Sequence, residues 1–170
     1  RRTVLDVHHD ILPETARLNP SPGALIEAAV PVADTPGLYV LSDVDMVLHS
    51  AAHLFHDGEL ENGLRDLVDL DSLLRHFAEG DAGFWERLQS RARMQDLARP
   101  LHYALQYVRV FLGTPVPPAL LEPDATAAPG PIIGRLMDFL FMRGLAPDHP
   151  SCADACTGLA RGLLYVRSHY

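Results

Sequence analysis

Apolar and polar positions alternate with a helical period from residue 41 to residue 74, LSDVDMVLHSAAHLFHDGELENGLRDLVDLDSLL. At about 100° per residue, Val44, Val47, Leu48, Ala51 and Phe55 gather on one face. His49, His53 and His56 fall within roughly 60° of one another on the polar side of that wheel. Ser42 is placed to cap this helix, and Asp43 and Asp45 sit where the macrodipole favours acids. Gly58 is a helix stop, since glycine takes the left-handed conformation at no steric cost. A second helix starts near Glu59, with Leu67, Leu70, Leu73, Leu74 and Phe77 as its apolar face. Asp66 lies beside that face. An acid there needs a partner, so Asp66 or Asp69 is expected to accept a hydrogen bond from a histidine or arginine.

The same patterning divides the rest of the chain. Residues 3–8, TVLDVH, alternate as a strand, with Val4 and Asp6 on one side and Leu5 and Val7 on the other. Pro13 and residues 18–23, LNPSPG, mark a loop. Residues 24–32 contain a strand-like run ending AAVPV; Pro36-Gly37 turns the chain and Leu38-Tyr39-Val40 reads back. That makes a small hairpin in which Pro31 is tolerable only on an edge. Further helices are expected over 84–94, 97–112 (Pro100 in its first turn), 132–141 and 153–166. The Pro- and Ala-rich stretch 113–130 reads as a linker or loop. The expected fold is mainly α: a helical domain over 41–170, preceded over 1–40 by a short N-terminal β-strand and a possible β-hairpin.

Composition narrows the function classes. The chain has 170 residues, 48% hydrophobic and 21% charged, ordinary for a globular domain. Fourteen basic residues against 22 acidic give a net charge of −8. A dedicated nucleic-acid binder needs a basic stripe, so nucleic acid is not an expected partner. No apolar run is long enough for a membrane span, and no secretory signal is visible. Cys152 and Cys156, four apart in an expected helix, are badly placed for a disulfide; a reducing cytoplasmic setting is expected. The chain opens Arg1-Arg2-Thr3 without methionine, which suggests a piece of a longer protein.

Four constellations could carry chemistry. His49, His53 and His56 have the helical spacing of a metal site, and equally that of an exposed polar face. His56-Asp57 has the adjacent pair of the HD phosphohydrolases, in which metal activates water; the remaining ligands are not fixed by anything in the chain. Ser42-Asp43-Val44-Asp45 has the form S-D-x-D, whose two carboxylates hold Mg²⁺ when carried on a strand. Here the following residues have helical period, and a helix does not project positions i and i+2 to one side. Asp6, on the expected strand, is the better candidate for a catalytic, metal-holding carboxylate.

Taken together, VLDVHHDIL, the 41–58 segment and LRDLVDLDSLL resemble, in order and spacing, the uncharacterised nucleotidyltransferase-like proteins of the polymerase-β superfamily. The resemblance covers roughly residues 3–74. It implies nucleotidyl transfer from an NTP with Mg²⁺ and three carboxylates. Asp6 matches the third of these, and the other two belong to a motif expected ahead of Arg1. His53 and Asp69 match structural polar positions of the helical pair. The chain is then expected to be the C-terminal part of such an enzyme, α+β in origin, and by itself to be inactive and to hold no cofactor. A helical protein-interaction module with an acidic surface is the alternative, and an HD-type hydrolase a third. The acceptor substrate is not readable.

Overall fold

The computed structural model describes residues 10–12, 16–57, 60–123 and 125–169. The expected strand over 3–8, with Asp6, lies outside the described residues.

Helix α2 (Asp43–Ala52) is the hub. Ser42 caps it, its hydroxyl accepting from the Asp45 amide at 3.3 Å. The predicted apolar face is real: Val44, Val47, Leu48 and Ala51 are all buried. They meet the apolar faces of α3 (Gly63–Ala78), α4 (Phe84–Met94) and α5 (Ala98–Leu112). Those faces are Leu67, Leu70 and Leu74 of α3, Phe84, Leu88 and Ala92 of α4, and Leu101, Ala104, Leu105 and Val108 of α5. Each such leucine removed from water contributes about 1.5–3 kcal/mol, so three helices converging on α2 make a substantial core.

After Ala52 the chain does not stop but widens into a π turn, His53–Asp57, followed by a 3₁₀ turn, Leu60–Asn62, that leads into α3. Leu54 and Phe55 of this turn are buried. Phe55 stands edge-on to Phe141 at 5.2 Å between ring centroids and lies 5.8 Å from Tyr107. Tyr103 and Tyr107 of α5 both contact Phe141. Such pairs add about 0.5–1.5 kcal/mol each beyond their buried area.

Two segments differ from the sequence reading. The start of the strand-like run over 24–32 is helix: α1 (Pro22–Glu27), capped by Ser21 and begun by Pro22. Proline at the first helical position loses no needed donor, and Ala-Leu-Ile-Glu-Ala continues helix readily. Only Val30–Pro31 remain as β1, paired antiparallel with β2 (Tyr39–Val40) in the register Val30↔Val40 and Pro31↔Tyr39. The hairpin is therefore present but two residues deep and exposed. The stretch 113–130 is not a free linker. Gly113 ends α5 in the left-handed conformation, a 3₁₀ turn follows at Pro118–Leu121, and Leu120, Ala125 and Thr126 are buried.

Helices α6 (Pro131–Gly144) and α7 (Thr157–His169) close the chain against one another. Gly144 of α6 packs directly under side chains of α7 and the 3₁₀ turn: a Cβ there would lie 2.7 Å from Leu164 Cδ1 and 2.8 Å from Leu60 Cδ1. Cys152 and Cys156 fall in the turn before α7, not within it, and are free thiols. Among the described residues no helix is long and apolar enough to cross a membrane.

Candidate functional site

The S-D-x-D segment is resolved by two arginines of α4. Asp45 is fully buried. Arg91 grips it with both prongs, Nε to Oδ1 at 2.7 Å and Nη2 to Oδ2 at 2.9 Å. Ser42 Oγ donates to Asp45 Oδ2 at 2.8 Å, closing the cap. Arg91 Nη2 also donates to the Ala24 carbonyl at 2.8 Å, so the same guanidinium fastens α1. Asp43 turns the other way. Its Oδ2 accepts from Arg87 Nη2 at 2.6 Å, and Arg87 reaches Asp81 as well at 2.8 Å. The Arg87 hydrogen bond holds the Asp81 carboxyl below the ordinary carboxylate value. The two aspartates diverge to arginines one helical turn apart, as a helical start requires. They are a structural clamp, with their lone pairs already engaged.

The three-histidine face is only partly assembled. His49 and His53 stack, ring centroids 6.4 Å apart and planes 18° from parallel, and both are exposed. His56 sits further along in the π turn, where the wider winding departs from the 100° step on which the face was reckoned. Among the described residues no group of three or more His, Cys, Asp or Glu is gathered closely enough to hold a metal. The π turn is tied from far along the chain: Arg167 Nη1 of α7 donates to the Phe55 carbonyl at 3.0 Å, and its guanidinium lies over the Tyr103 and Phe141 rings.

On α3 the expected acid contact is corrected. Among the described residues neither Asp66 nor Asp69 has a side-chain hydrogen bond or ion pair. Asp69 is exposed and Asp66 half-buried, so water serves them and no buried charge needs recovering. The engaged acid is Asp71, which accepts from Arg75 Nε at 2.7 Å and from Thr114 Oγ1 at 2.6 Å.

A second polar cluster, missed from sequence, joins α5 to its neighbours. Tyr107 Oη and Gln106 Nε2 both donate to Asp138 Oδ1 of α6, at 2.9 and 2.6 Å. Burial, then the bond to Asp138, pushes the Tyr107 hydroxyl well above the ordinary tyrosine range. His102 Nδ1 lies 3.0 Å from Thr126 Oγ1. Burial and then the Arg99 charge hold this imidazole below its ordinary value. Nothing local marks Gln106 and Tyr107 within the expected 97–112 helix, and only the partner on α6, 31 residues from Tyr107, reveals the cluster.

The profile of the uncharacterised nucleotidyltransferases matches residues 1–113. The chain belongs to that family. The match takes in the described helices α1 to α5 and ends at Gly113, the left-handed residue that terminates α5. It therefore reaches beyond the 3–74 stretch on which the resemblance rested, to include the arginine clamp of α4. The matched range takes in the His-bearing turn, while α6 and α7 lie outside it. No curated protein and no solved structure matches the chain.

Proposed function

We propose that this chain supplies the helical part of a nucleotidyltransferase of the polymerase-β type, with Asp6 as one carboxylate of its catalytic set. Family membership carries the reaction class. Transfer of this kind is mostly positioning and charge neutralisation, and Mg²⁺ would supply the latter when bound by converging carboxylates. The observation that supports placing those carboxylates elsewhere than on α2 is the Asp45–Arg91 pair. The acids with the required S-D-x-D spelling are taken by arginines, and Asp45 has no access to solvent. Among the described residues no group of three or more His, Cys, Asp or Glu fits the metal. The remaining carboxylates are assigned to residues ahead of Arg1, and the helices over 41–170 to support of that core.

The test is an assay of the purified chain with Mg²⁺ and Mn²⁺ across the four NTPs, beside a longer product extended upstream of Arg1. The expected outcome is turnover only by the longer product, abolished in Asp6→Ala. Metal-dependent turnover by residues 1–170, lost in His56→Ala or Asp57→Ala, would overturn this reading in favour of an HD-type hydrolase.

A further inference from the structure

Helix α5 has a second face that the core does not use. Leu101, Ala104, Leu105 and Val108 point inward and are fully buried. His102, Gln106, Arg109 and Val110 line the other side and, with Leu121 of the 3₁₀ turn, enclose a cleft of about 340 Å³. That volume lies at the lower end of the range for small-molecule pockets. Its walls are fixed from two directions: His102 is held by Thr126, and Gln106 by Asp138. Arg109 is exposed at its edge, and among the described residues it has no carboxylate partner. Arg99, one turn before His102, has none either. This contrasts with Arg75, Arg87, Arg91, Arg143 and Arg161, each of which is paired with an aspartate. Val110 is 57% exposed and offers an apolar wall beside that cation. Asp138, the acid beside the cleft, already accepts from Gln106 and Tyr107.

We propose that this cleft binds a small organic anion, its carboxylate or phosphate head on Arg109 and its apolar body against Val110 and Leu121. A planar guanidinium matches either head through paired N–H donors. Gln106 and His102 provide the polar floor that orients it. None of the residues lining the cleft belongs to the His-bearing turn, and the proposal does not depend on the nucleotidyl-transfer reading.

The experiment is titration calorimetry of the full chain with butyl phosphate, butyrate and inorganic phosphate at constant ionic strength. At least one of the two alkyl anions is expected to bind saturably and more tightly than inorganic phosphate, and the tighter of the two identifies the head. Arg109→Met is expected to weaken that binding by at least about tenfold, the loss of a charge-assisted contact. Arg65→Met, a change of equal charge on α3, leaves it unaltered. The His102 ring resonances shift on titration in the wild type and not in Arg109→Met. Absence of saturable binding by both alkyl anions, equal affinity in Arg109→Met, or equal loss in Arg65→Met would overturn the proposal.

Discussion

Asp45 has no exposed surface and survives as a charge because Arg91 and Ser42 surround it. Removing one partner of such a pair strands the other, so Asp45→Ala is expected to cost about 3–5 kcal/mol in chemical denaturation. Asp43→Ala, at the half-exposed end of the clamp, should cost under about 1 kcal/mol. A catalytic pair would show the reverse pattern, with activity lost and stability kept. His102 gives a pH signature. Its folded value is depressed, chiefly by burial, from the ordinary 6.5. Below about pH 6.5 the unfolded imidazole binds a proton that the folded one refuses, so stability falls as pH drops through that window. Thermal melts from pH 7.5 to 5 should show this slope, flattened in His102→Gln. The helical nature of Asp43 and Asp45 was legible from the period of the following residues. Their partners were not, because Arg91 lies 46 positions away and nothing local marks it.

At the scale of elements, periodicity worked where a helix has one wet and one dry face. The 84–94 helix came out with its bounds intact, and α5 within one residue. It missed the helix over 22–27, ahead of the hairpin strand, where a short apolar run fits strand or helix equally and Ser21-Pro22 was the cap signal to heed. Over 113–130 the expected loop is present, but its proline content hid how closely it packs. Glycine placement in α6 yields a paired prediction. Gly134→Ala meets nothing closer than Pro129 Cγ at 3.8 Å and should stabilise by about 0.5–1 kcal/mol through helix propensity. Gly144→Ala drives a methyl into Leu164 and Leu60 and should destabilise by about 1–3 kcal/mol. Urea midpoints of the two variants should move in opposite directions.

For the whole molecule, the question is whether α6 and α7, outside the family match, are an addition or a part. The aromatic cluster answers it: Phe141 fills the space between Phe55, Tyr103 and Tyr107. Phe141→Ala is expected to cost about 3–5 kcal/mol and to keep a single cooperative transition. Residues 1–113 expressed alone would bare those three rings and should aggregate, which light scattering would detect. None of this was visible from patterning, since Phe141 reads as one more apolar position until Phe55 is found opposite it. The candidate site was legible only in kind. The His-bearing turn and the false S-D-x-D could be located from residues 41–58, whereas the π winding and the Arg167 tether depend on contacts made across the fold.

That tether has a consequence in time. Arg167 and the Phe55 carbonyl are 112 positions apart. At about 5–20 residues per second, a ribosome needs on the order of ten seconds to travel between them. Through that interval α2 to α5 can assemble while the His53–Asp57 turn lacks its guanidinium. Nascent chains arrested after α5 should therefore exchange the amide protons of residues 53–57 faster than the released chain, and Arg167→Ala should carry the same defect permanently. The His-bearing turn is made early, then finished by a side chain synthesised 112 positions later.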